Sequence, residues 1–259
     1  MYQREINDEE FLNSFQSFGF ASRAAISYLL CNNLVDDSTL RNGDLKAILL
    51  QTIENYYFQT EIILMLLETF NQKKLSYDKS LVALYHNTFI REGKDGSVSS
   101  KLLKVINENS DNQFLDFLGL QEPEKILNSL TKEKKEELEE SFGSFDKAII
   151  QGFEEIKNLK ESLISIISNR FKMKDGTEIP FYQMLNKLKH GYQVIENEKE
   201  NILSILVELV EDKTDRALFS VIEIPVKRET ALFYADQIKH MSKVTQHLLH
   251  YYLLSNNIK

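Results

Sequence analysis

Turn-forming residues are in short supply, with nine glycines and three prolines among 259 residues. The usual shares are roughly 7% and 5%. A many-stranded β fold needs tight turns every ~8–12 residues, so that class is excluded as the main architecture. Cysteine occurs once, at Cys31, which leaves no internal disulfide possible. Its place in the apolar stretch 28–34 predicts a buried, reduced thiol rather than a reactive nucleophile. Apolar runs such as Ile62 to Leu67 fall far short of the ~20 residues that a membrane span requires. The start, Met1 to Glu10, lacks the basic beginning and apolar centre of a signal peptide. These absences predict a soluble, cytoplasmic protein with no membrane partner. The formal charge of −8 argues against a duplex DNA partner and leaves room only for a local basic patch.

Several catalytic signatures are missing as well. There is no Gly-Lys-Ser/Thr phosphate loop, no GxGxxG, no CxxC pair, no HExxH and no GxSxG. Nucleotide hydrolase, metalloprotease and α/β-hydrolase classes lose their usual support, and no cofactor is expected.

What is present is a globular balance of 42% hydrophobic and 27% charged residues, patterned for helices. Phe11, Phe15, Phe18, Ser22, Ala25 and Leu29 recur at 3-and-4 spacing, predicting a helix from Asn7 to about Leu34. A long helix is predicted from Asn42 or Asp44 to about Gln72, its second half apolar all round and so at the bundle centre. Further helices are expected at about 77–91, 99–107 and 111–119, and from Pro123 to near Leu130. The charged run Thr131 to Glu140 reads as a solvated helix face with Lys132–Glu136 pairing. That helix is expected to continue to about Phe171, bent near Gly143 or Gly152.

The pattern then changes. Lys174 to Thr177 is a turn signal, and Pro180 can open a short helix reaching Gly191. Ile202 to Val210 and Leu218 to Val226 are rich in β-branched residues and predict a hairpin, although periodicity leaves the first open as strand or short helix. A final helix runs from about Glu229 to Leu254. The expected fold class is mainly α, a helical bundle with a small β-hairpin near 202–226 before the C-terminal helix. The chain reads as one helical domain, 1–259, with the two-glycine stretch at 92–98 as the place for a division into 1–92 and 98–259.

Two groups of residues suggest chemistry. On the last helix, Asp236, His240, Lys243, His247 and His250 share nearly one face, and an Asp and a His one turn apart can ligate a metal. Lys243 repels a cation there, so a polar stripe between core and solvent is the plainer reading. The second group is Leu185-Asn186-Lys187-Leu188-Lys189-His190-Gly191. Its plain reading is an i,i+4 polar pair near a helix end, with Lys189 and His190 complementing the C-terminal dipole and Gly191 closing the helix.

The same segment resembles the helical-bundle HEPN superfamily of bacterial defence, toxin–antitoxin and RNA-processing proteins. That family carries an arginine, a polar residue, three others and a histidine. Asn186 matches the polar position and His190 the histidine, but Leu185 stands where the arginine belongs. The resemblance implies a dimer in which the arginine and histidine of each chain line a cleft that cleaves RNA in active members. His190 has the right titration range to move a proton. Leu185 cannot stabilise phosphorane-like charge, and Lys187 or Lys189 offers a point charge without arginine's fork. Arg170, Lys172, Lys187 and Lys189 form a candidate patch for a phosphate, an RNA or an acidic protein partner. The expected function is a non-catalytic helical binding or assembly module resembling degenerate HEPN proteins, with a possible homodimer. A metal-independent endoribonuclease using His190 and Asn186 is the alternative, and metal binding by the last helix a distant third.

Overall fold

The computed structural model describes residues 5–15, 25–27, 29–30, 42–87, 105–108, 110–168, 170–172, 176, 178–180, 194–197, 201–210 and 218–256. The helices are α1 (Asp8–Ser14), α2 (Asn42–Leu75), α3 (Asp111–Phe117), α4 (Pro123–Ser129), α5 (Lys132–Phe142), α6 (Phe145–Ser168) and α7 (Arg228–Ser255). Residues 81–87 are also helical. The strands are β1 (Arg170–Lys172), β2 (Glu178–Pro180), β3 (Val194–Asn197), β4 (Ile202–Val210) and β5 (Leu218–Pro225). The protein is mainly α, with the hairpin ahead of the last helix. No helix among the described residues is long and apolar enough to cross a membrane.

The chain divides into two compact units, each gathered from distant stretches. The first holds Met1–Ser22, Glu61–Ile164 and Met241–Lys259; the second holds Arg23–Thr60 and Ser165–His240. The stretch 92–98 lies outside the described residues.

Local chemistry fixes the helix ends of the first unit. The Asn7 side chain accepts from the Glu10 N–H at 2.8 Å while Glu10 reaches back to the Asn7 N–H, a capping box that opens α1. Ser110 and Gln113 do the same for α3, Pro123 occupies the first turn of α4, and Thr131 caps α5. The apolar stretch of α2 is central, with Ile63, Leu64, Met65, Leu66 and Leu67 all buried. They share the core with Leu12, Phe114, Ile126, Ile156, Leu163, Val244, Leu248 and Leu249. Thr69 and Thr245 are buried here too, and each hydroxyl donates to the carbonyl four residues back, at 2.8 and 2.7 Å, so no donor is stranded.

The expected helix from Thr131 to Phe171 is two helices. Gly143 takes a left-handed φ of +72° and its N–H closes on the Glu139 carbonyl at 2.8 Å, which ends α5. Gly152 stays helical inside α6.

In the second unit, β4 pairs antiparallel with both β3 and β5. Leu203 faces Ile224 and Ile205 faces Ile222 across the hairpin, all four buried, while Ser204 faces Glu223 toward the more open side. This alternation is the strand signature that decides Ile202–Val210 as extended. Asn201, immediately before β4, has a left-handed φ of +50°. One expectation is corrected. The helix ends at Ser168, and Arg170–Lys172 is a strand rather than its last turn. Pro180 is the last residue of β2, opposite Arg170, and the helix expected from there to Gly191 falls on residues outside those described. Gly176, at φ +87°, lies between these two strands where the turn was expected. Elsewhere in this unit Asn55 donates to Ser27 at 3.1 Å, and Tyr56 meets Tyr234 edge-on at 5.4 Å.

Candidate functional site

Leu185, Asn186, Lys187, Lys189, His190 and Gly191 lie outside the described residues, as does Cys31. Arg170 and Lys172 are in β1, in register with Pro180 and Glu178.

The histidine stripe of α7 is described in full. Asp236 and His240, in the second unit, are exposed. In the first unit the exposed Lys243 reaches Glu155 of α6 at 3.8 Å. His247 lies beside this pair, half-buried. Among the described residues no three His, Cys, Asp or Glu side chains gather closely enough to hold a metal ion, and Lys243 occupies the carboxylate that a cation would need. Burial lowers the pKa of His247 from its ordinary value of 6.5, with Lys243 adding to the shift and Glu155 opposing it. His250 is lowered too, by burial and then by its neighbour His247.

A base with a lowered native pKa binds fewer protons folded than unfolded. Stability is therefore complete above 6.5 and lost as pH falls from there through the lowered native values. We expect the urea midpoint to drop between about pH 7.5 and pH 5.5, above the carboxylate range. His247→Gln should flatten that drop, and an equally steep fall in the variant would show that the histidine does not cause it.

A cleft of about 540 Å³ lies elsewhere in the first unit. Its wall is the end of α2, which supplies Phe70, Lys73 and Lys74, followed by Tyr77 in the next turn. Asn112, Leu115 and Asp116 come from α3, Asp8 from α1, and Tyr252 and Asn256 from the end of α7. Phe70 and Tyr252 stack at 3.8 Å and 13° beneath it. Gly119, at φ +68°, lets the chain leave α3, with the Gly119 N–H on the Asp116 carbonyl and the Leu120 N–H on that of Leu115, both at 3.0 Å. The loop that follows is latched to α7. The Gln121 N–H donates to Ser255 Oγ at 2.7 Å, its side-chain amide to the Ser255 carbonyl at 2.8 Å, and the Tyr251 hydroxyl to the Gln121 carbonyl at 3.0 Å.

The charges of the cleft are matched. Lys73 meets Asp8 at 3.3 Å, and Lys74 meets both the carboxylate and the carbonyl of Asp116, at 2.7 and 2.6 Å. Lys125 stands 3.9 Å from Glu122. Asp8 also accepts the Leu81 N–H at 2.7 Å. The Tyr252 hydroxyl is held protonated by burial and then by the fields of Asp8 and Tyr77. Among the described lining residues there is no histidine, cysteine, serine or threonine. Such a surface can position a ligand, and it offers no activated nucleophile with a base beside it.

Sequence reasoning missed this cleft because its parts come from α1, α2, α3, the 118–122 loop and α7. The one local signal was Tyr77, an aromatic in a polar turn. Comparison with family models, with curated proteins and with solved structures finds no match.

Proposed function

We propose that the protein is a non-catalytic helical binding module of the degenerate HEPN-like kind, cytoplasmic and able to pair with a second copy. The observation that supports binding over catalysis is the cleft of the first unit. Its carboxylates are engaged by lysines at 3.3, 2.7 and 3.9 Å, and burial holds Tyr252 neutral. A general base acts on a nucleophile placed beside it, and the described lining holds no histidine, cysteine, serine or threonine. The HEPN-like part of the reading rests on Asn186 and His190 alone. In it, Arg170, Lys172, Lys187 and Lys189 are the contact for RNA or an acidic protein partner, and Leu185 removes the charge stabilisation that cleavage needs.

The test is cleavage of single-stranded RNA at neutral pH with chelator present, by wild type, His190→Ala and Leu185→Arg. Wild type is expected to leave RNA intact. Restoring the arginine should raise cleavage if the site is degenerate, since one transition-state donor is commonly worth 10²–10³ in rate (on the order of that seen for oxyanion-hole deletions). Robust wild-type cleavage abolished by His190→Ala would overturn the non-catalytic reading in favour of the endoribonuclease.

A further inference from the structure

We infer that the cleft of the first unit takes a neutral, hydroxyl-rich ligand of the saccharide class, an inference that rests on reading that cleft as the ligand site. The first ground is charge. Lys73, Lys74 and Lys125 are set against Asp8, Asp116 and Glu122, so the lining sums to zero on a chain whose formal charge is −8. An anion entering it meets as many carboxylates as ammonium groups, and so does a cation. Neither gains the field that charged ligands require.

The second ground is the kind of surface on offer. The apolar side chains below the cleft are already covered: Phe70 and Leu118 are 0% exposed and Tyr252 2%. The lining presents apolar and polar surface in similar measure, so a wholly greasy ligand would leave polar groups covered and unpaired. The large apolar face that is held out is Tyr77, 81% exposed at the lip. A sugar ring matches this division, because one side presents a patch of C–H groups to an aromatic face and the rim presents hydroxyls.

The third ground is hydrogen bonding. A hydroxyl both donates and accepts, so neighbouring hydroxyls are best met by a donor beside an acceptor. The Lys73–Asp8 and Lys74–Asp116 pairs each provide that arrangement, and the exposed amide of Asn112 carries both functions in one group. The wall is also prepared in advance. The latch between Gln121, Ser255 and Tyr251 leaves little ordering cost for binding. A volume of about 540 Å³ has room for a short saccharide and falls within the ~300–1,000 Å³ of ligand sites.

The test is an amide-resolved NMR titration of the full chain. The probes are maltotriose, N,N′-diacetylchitobiose, inorganic phosphate and benzamide. A saccharide is expected to move the Asn112, Gly119 and Gln121 signals. Tyr77→Ala, a change at an exposed position that the fold tolerates, should weaken binding about tenfold, and Tyr77→Phe should stay within about threefold of wild type. Saccharides that leave those signals still, or an unaffected Tyr77→Ala, would overturn the ligand class. Phosphate or benzamide moving the same signals when saccharides do not would overturn it while leaving the cleft as the binding site. Silence from all four probes would count against both.

Discussion

Phe70→Ala is expected to lower the free energy of unfolding by about 3–5 kcal/mol, the range for emptying a buried aromatic site. Phe70 is fully buried and lies flat on Tyr252 at 3.8 Å. The loss therefore combines transfer energy with a void left against the Tyr252 ring. Domains of this kind have a total stability of about 5–15 kcal/mol, so the variant should unfold at a much lower urea concentration. Phe70→Leu keeps most of the volume and should lose roughly half as much. A Phe70→Ala midpoint near that of wild type would mean that the stack does not hold the end of α2 to the end of α7.

Substitutions at Gly152 are expected to change sign with size. Gly152 is buried in α6, and a β-carbon there would sit 3.5 Å from Tyr251 Cδ2, an ordinary contact distance. Alanine fits without displacement and removes the backbone entropy that glycine loses in a helix, a gain of about 0.5–1 kcal/mol. Leucine cannot fit against the Tyr251 ring. It must wedge α6 from α7, at about 1–3 kcal/mol. It should also weaken ligand binding in the cleft, because the displaced ring carries the hydroxyl that holds the Gln121 carbonyl at 3.0 Å. Thermal melts of Gly152→Ala and Gly152→Leu moving in the same direction would contradict this packing.

The same two glycines show what the sequence made legible. Gly143 and Gly152 were equal candidates for a bend, because residue type alone does not distinguish a glycine used for its backbone from one used for its lack of a side chain. Gly143 has open space around it and a left-handed φ, whereas Gly152 stays helical with the Tyr251 ring in ordinary contact beside it. Elements with their own local chemistry were readable: α1 from Asn7, α4 from Pro123, α7 from its apolar stripe, and the β4–β5 hairpin from β-branched residues. The short strands β1 to β3, of three or four residues, carry too little periodicity to stand out. The cleft was invisible because Asp8, Lys73 and Asp116 become neighbours only through packing. The histidines of α7 were visible, but the partner that matters, Glu155, is on another helix.

Binding in the cleft of the first unit is the central claim, and one comparison tests it most directly. A panel of small soluble fragments is titrated by amide-resolved NMR into wild type and into Asn112→Trp, which fills the cleft from the exposed side of α3. In wild type, members of the panel should shift the signals of Gly119, Gln121 and Glu122 together and saturably. In Asn112→Trp the same signals should stay in place while the rest of the spectrum shows a folded protein. Fragments that gather elsewhere in wild type, or that bind equally well when the cleft is filled, would contradict the account.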